Sequence, residues 1–177
     1  MRILFLHSQI PYPLDTGAKI RTYQLLRHLG RRHEVTLACF GRPGDDAALA
    51  AVRRITAEVV LLDGHTRGPR ANALALMKSL RRGLPFSVGK YVHAAAVAQV
   101  RRHSQQVSFG AVHVDQPHLA VTAPPLAYAP RVIHEHNIES QIARRFYEKA
   151  AHPVLKQFLR DQYRRMERFE KIGRAHV

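Results

Sequence analysis

Short apolar runs alternate along this chain with longer segments whose apolar residues recur at helical spacing. Arg2-Ile-Leu-Phe-Leu-His7 is almost continuously apolar, the pattern of a strand buried on both faces of a parallel sheet. A proline-rich loop follows from Gln9 to Thr16. From Gly17, a stripe of Ala18, Thr22, Leu25, Leu26 and Leu29 falls on one face of a helix that Gly30 is placed to end. Glu34 to Phe40 reads as a second apolar strand, Asp45 to Thr56 as a helix and Glu58 to Leu62 as a third strand. The spacing then predicts helices over Asn72–Arg82 and Gly89–His103, separated by Gly83-Leu84-Pro85, and a strand over Phe109–Val114. A short helix, Pro117 to Ala123, is stopped by Pro124-Pro125 before a fifth strand, Arg131 to Glu135. Two helices close the chain, Ser140–Ala150 and Val154–Glu170. Pro153 stands where a first-turn proline is tolerated, and the last helix carries a stripe of Leu155, Phe158, Leu159, Met166 and Phe169.

Strands alternating with crossover helices predict an α/β fold, a Rossmann-like parallel sheet with helices on both faces. Ligands of such sheets bind beyond the carboxyl ends of the strands. The loops of interest are therefore His7 to Gly17, Asp115 to His118 and His136 to Ser140.

Composition narrows the class. A length of 177 residues with 46% hydrophobic content suits one domain with its own core and excludes a disordered chain. The single cysteine, Cys39, lies in the apolar run Val35–Phe40 and reads as a buried structural thiol. No stretch approaches the ~20 apolar residues of a membrane span. Met1 to Leu6 is too short for a signal peptide, so the expected compartment is the cytoplasm. Charge is the outlier: 28 Lys and Arg against 13 Asp and Glu give a formal +15, which attracts nucleic acid, anionic membrane or anionic substrate. A non-enzymatic basic module binding nucleic acid or membrane is the rival to an enzyme. Nucleic acid is disfavoured, because aromatics are only 7% and no helix-turn-helix or zinc-finger pattern is present.

Several residues could carry chemistry. The first loop has neither G-x-G-x-x-G nor a P-loop, but it places Gly17 at a helix N-terminus. Free N–H groups and the helix dipole favour an anion there, and the missing side chain permits close approach. The alternative is that Thr16-Gly17 simply caps the helix. His7 ends the first strand, as a substrate contact or as a hydrogen-bonded edge of the core. His134 and His136 point to one face of a strand, but no further metal ligands are marked, so no metal is expected. Asn137 and Glu139 read equally as a cap and a favourable first-turn charge for the helix at Ser140. Between Arg67 and Lys90, Arg70, Lys78, Arg81 and Arg82 surround Leu74, Leu76, Met77 and Leu80. This segment is either a membrane-docking element or a solvated helix with an ordinary buried stripe.

Motif order adds a resemblance. The opening run combines Ile3-Leu-Phe-Leu-His7, Pro11-Tyr-Pro13 and Asp15-Thr-Gly-Ala-Lys-Ile-Arg-Thr-Tyr23, followed by Leu25-Leu-Arg-His-Leu29 and His33-Glu-Val-Thr-Leu37. With His134-Glu-His-Asn-Ile-Glu-Ser140 and the basic helix through Arg164-Arg-Met-Glu-Arg-Phe-Glu170, it resembles the N-terminal half of family 4 glycosyltransferases. The nearest resemblance is to bacterial sugar transferases of exopolysaccharide loci. The resemblance implies a retaining GT-B enzyme of two Rossmann-like domains. The N-domain holds a glycan or lipid-linked acceptor, and an absent C-domain with a Glu-x7-Glu motif holds the nucleotide sugar. The nucleotide sugar is a substrate, so no cofactor is implied. By position, Gly17 would lie near the donor diphosphate and Arg21 would face the same phosphates. Asp115, Gln116 and His118 would line the acceptor side after the fourth strand, and His136, Asn137 and Glu139 after the fifth. His118 would orient or deprotonate the acceptor hydroxyl. Many relatives carry two adjacent glycines where this chain has Gly17-Ala18, which weakens the diphosphate role of this loop. Contact with an anionic membrane is a further expectation; binding of nucleic acid is not.

Ile172-Gly-Arg-Ala-His-Val177 fits nothing before it and resembles translated sequencing-adapter read-through. The expected domain therefore spans residues 1–171 of a chain that continues, and the fragment alone is expected to be inactive. A frayed C-terminus is the alternative.

Overall fold

Five parallel strands, β1 (Arg2–His7), β2 (Glu34–Phe40), β3 (Glu58–Leu62), β4 (Ala111–Val114) and β5 (Arg131–Ile133), form one sheet in the order β3-β2-β1-β4-β5. Residues 1–42, 44–64, 68–123, 129–135 and 137–175 are described by a computed structural model, with side chains through Lys171. Register follows the apolar pattern: Ile3 pairs with Val35 and Ala111, and Leu6 with Ala38 and Val114. Residues 3–7 and 35–40 are buried on both faces, as the near-continuous apolar runs require. The fold is α/β and Rossmann-like, its parallel sheet flanked by helices.

The chain divides into two compact units. The first, residues 1–65 and 93–134, holds the sheet, α1 (Gly17–Gly30), α2 (Asp46–Arg53) and α5 (Ala94–Gln106). Its core clusters Ile3, Phe5, Val35, Leu37 and Cys39 of the sheet with Leu26, Ala48 and Val52 of the helices. Thr16 caps α1 through its side chain, which accepts a long 3.4 Å bond from the Lys19 N–H. The buried face of α1 begins at Thr22 rather than at the exposed Ala18. Gly30 is the last residue of α1, and its φ is not positive. A Cβ there would collide with the Ile55 carbonyl, so close approach, not a left-handed cap, is what requires glycine.

The second unit, residues 66–92 and 135–177, holds α3 (Pro69–Arg81), α4 (Phe86–Gly89), α6 (Glu139–Lys149) and α7 (Pro153–Ala175). Gln162 of α7 accepts from the Phe86 N–H at 2.7 Å, and Arg165 donates to the Leu80 carbonyl at 3.3 Å. The expected stripe of α7 is buried only at Met166, while Leu155 and Phe158 are exposed.

Several elements differ from the sequence expectation. The single helix over Gly89–His103 is two, α4 and α5, because His93 is extended (φ −117°, ψ 118°), and the unit boundary falls at the same place. The helix at Pro117–Ala123 is a 3-10 turn, Pro117–Val121, and α7 continues as backbone helix to Ala175. The strand expected to reach Glu135 ends at Ile133.

Candidate site at the strand switch point

The sheet order reverses direction between β1 and β4: the chain runs outward to β3 on one side and to β5 on the other. The carboxyl ends of two such adjacent strands diverge into loops on opposite sides, leaving a crevice. Asp115, the first residue beyond β4, donates its backbone N–H to the Leu6 carbonyl at 3.0 Å, which seats it beside the end of β1. It is completely buried.

A buried carboxylate needs both charge and hydrogen bonds to offset lost hydration. Asp115 has them from α1. Arg21 Nη2 donates to Oδ1 at 2.8 Å, and Thr22 Oγ1 donates to Oδ2 at 2.7 Å. Two imidazoles lie against the same carboxylate, with His7 Nε2 at 3.4 Å and His113 Nε2 at 3.6 Å. His7 Nδ1 is 2.6 Å from the Gln9 carbonyl, so that nitrogen carries hydrogen and donates. Arg21 Nη1 is 2.8 Å from His134 Nε2. A guanidinium only donates, so His134 accepts through Nε2 and its ring proton sits on Nδ1. His113 is further fixed by stacking on Phe5, with centroids 4.4 Å apart. One arginine, one aspartate, one threonine and three histidines thus form a single polar network over the switch point.

Of the residues the sequence singled out, the structure brings Arg21 and Asp115 into direct contact. Gln116 follows Asp115, and its side-chain oxygen is buried without a hydrogen-bond partner among the described residues. His118 is half-buried on the 3-10 turn. Gly17 opens α1, and nothing lies within 4 Å of where its Cβ would be, so packing does not demand glycine there. In the loop before it, Lys19 Nζ is 2.9 Å from Asp15 Oδ1 and holds that carboxyl below its usual range. A cavity of about 170 Å³ lies beside this loop, lined by Gln9, Ile10, Tyr12, Lys19, Phe40 and Asp45 among others.

His136 lies outside the described residues. Asn137 and Glu139 belong to the second unit. Asn137 is exposed and makes no side-chain hydrogen bond among the described residues, so it is not the cap of α6. The N-cap position is Ile138, which has no side chain suited to it. Glu170 of α7 takes over this task, accepting from the Ser140 N–H at 2.9 Å and from its hydroxyl at 2.5 Å. Among the described residues, no group of three or more His, Cys, Asp or Glu side chains is arranged to hold a metal ion. Cys39 is buried far from water, which with the nearby Asp45 charge pushes its thiol up to about 12, an inert state.

Sequence reasoning missed Thr22, read as part of an apolar stripe, and His113, read as strand interior. The signal for His113 was present: His113 and Asp115 stand two apart at a strand end and share a face. Comparison of the chain with family profiles, curated proteins and solved structures finds no significant match to any of them.

Proposed function

We propose that this chain is the acceptor-side half of a GT-B glycosyltransferase of family 4. In this reading the full protein transfers a sugar, with retention, from a nucleotide sugar to a glycan or lipid-linked acceptor. The observation that supports it is the network of Arg21, Asp115 and the histidines at the switch point, where α/β sheets of this order bind ligands. It coincides with positions the motif resemblance marks.

The chemistry divides between two surfaces. A departing nucleoside diphosphate needs cationic and N–H donors, which Arg21 and the open N-terminus at Gly17 supply. The acceptor hydroxyl needs orientation and a proton acceptor, and His118 and Gln116 follow directly on Asp115 for that purpose. Asp115 acts as a positioning residue: it fixes Arg21 rather than touching substrate. Lipid-linked acceptors place the protein at the inner face of a membrane, as a peripheral enzyme. No helix among the described residues is long and apolar enough to cross one.

The test is to express the uninterrupted reading frame from the source gene and supply a panel of nucleotide sugars with oligosaccharide and lipid-linked acceptors. The expected result is acceptor-dependent release of nucleoside diphosphate, lowered about a hundredfold by Asp115→Asn. Turnover of none of the donors by that full protein overturns the reading. So does turnover by the 177-residue chain alone.

A further inference from the structure

α3 buries the small Ser79 and turns three of its four large apolar residues to water, with Leu76 half-buried. Ser79 is 1% exposed, and its hydroxyl donates to the Ala75 carbonyl. Gly89 of α4 approaches so closely that any Cβ there would collide with the Ser79 side chain. The tight small face is what seats α3 within its unit. Leu74, Met77 and Leu80 are left 52%, 55% and 41% exposed. An ordinary solvated helix has the opposite arrangement. At about 100° per residue, these three share one outward arc of roughly 120° with Arg70 and Arg81, and Lys78 lies at its margin. No acidic residue occurs from Pro69 to Gly83. None of Arg70, Lys78, Arg81 and Arg82 forms an ion pair with a described residue.

We infer that this arc is a docking face for an anionic lipid surface. The inference deepens the membrane location proposed above and does not depend on the transfer chemistry. The occupant follows from having both chemistries on one arc. A phosphate backbone would take up the arginines but has no apolar phase for Leu74, Met77 and Leu80. An apolar protein groove would take up the leucines but not the unpaired cations. The headgroup boundary of an anionic bilayer accepts both, with apolar side chains entering the acyl region and Arg and Lys reaching the phosphates. Leu155 and Phe158 of α7, 49% and 37% exposed, stand on the same face of that helix as Gln162 and Arg165, which hold α4 and α3. They are further exposed apolar side chains of the same unit.

The experiment is cosedimentation of the 177-residue chain with vesicles of phosphatidylcholine alone or mixed with phosphatidylglycerol, at low and high salt. Binding is expected only with phosphatidylglycerol and is expected to weaken with salt. Arg70→Gln, Lys78→Gln and Arg81→Gln should each lower partitioning about fivefold. The triple variant Leu74→Ser/Met77→Ser/Leu80→Ser should abolish it. Arg101→Gln/Arg102→Gln, which removes two exposed charges on α5, should change it less than about twofold. A dye placed by Met77→Cys should shift to the blue on vesicles, and the same dye at Arg101→Cys should not; Cys39 is too buried to compete. Absence of wild-type binding at low salt overturns the inference. So does wild-type-like binding by the apolar triple variant, or an unshifted Met77→Cys dye. Self-association lost in the triple variant, without vesicle binding, would show that a second copy is the occupant instead. The vesicles contain no acceptor, so failure here leaves the transfer reading standing, and transferase failure leaves this one.

Discussion

Asp115 and Arg21 form one interaction, but they are not equivalent. Asp115 has no contact with water, whereas the Arg21 side chain is 36% exposed and can recover hydration when its partner is lost. Arg21→Ala leaves a buried carboxylate without its cation, and should destabilise the chain by about 3 kcal/mol. Asp115→Asn keeps the shape and a hydrogen-bond acceptor, and should cost roughly 1 to 2 kcal/mol. Urea unfolding followed by circular dichroism checks the order, and equal losses would mean that the pair is wetter than its burial implies. Cys39 provides a pH-dependent counterpart. Burial raises its folded value from 9.0 to about 12, so its contribution is complete below pH 9 and is lost as pH rises toward 12. Wild type should therefore lose stability more steeply than Cys39→Ala across that interval. Parallel stability curves would contradict the assignment. The inert thiol was legible from its apolar run. The Arg21–Asp115 bond was not, because it joins residues 94 positions apart that only the sheet order brings together.

At the scale of elements, legibility follows how local the cause is. β1, β2 and β3 have the limits their apolar runs predict, because a strand buried on both faces writes itself into consecutive residues. α1 begins at its Thr16 cap for the same local reason. The division of α4 from α5 and the outward face of α3 were hidden. The first follows from the extended His93 and the second from Gly89 meeting Ser79, and periodicity reads large side chains, whereas that contact is made by small ones. Of the two readings this segment offered, the ordinary buried stripe does not hold at Leu74, Met77 and Leu80, which are exposed. Gly89→Ala should destabilise the second unit by about 1 to 3 kcal/mol through overpacking, and Ser79→Gly in the same chain should restore a part of the loss. Additive losses in the double variant would mean that the two backbones are not in contact. Gly17→Ala is the contrasting substitution, since open space surrounds it. It should leave the melting temperature unchanged or slightly raised while weakening donor use by the full protein, and a fall in melting temperature would assign Gly17 to packing.

At the scale of the molecule, the two units differ in how much they bury. The first has strands with every side chain from Ile3 to His7 and from Val35 to Phe40 out of water, and a core continuous with α1 and α2. In the second, most of the described side chains of α6 and α7 are exposed or half-buried, and Ser140, Met166 and Glu170 are the buried exceptions among them. Local opening is least costly where few apolar groups are covered. Amide hydrogen exchange should therefore be slowest in β1 and β2 and distinctly faster throughout α3, α6 and α7, in mild denaturant as well as in buffer. Within the second unit, the amide of Ser140 should be the slow exception, because its hydrogen bond ends on the buried Glu170 carboxylate rather than in a frayed first turn. Glu170→Gln should bring that amide to the rate of its neighbours without changing exchange in β1. Uniform protection across both units would show that they open together, and the exposed face of α3 would then have to be stable on its own in water. Fast exchange confined to the second unit that slows on anionic vesicles would instead connect its low internal burial to the surface it docks on.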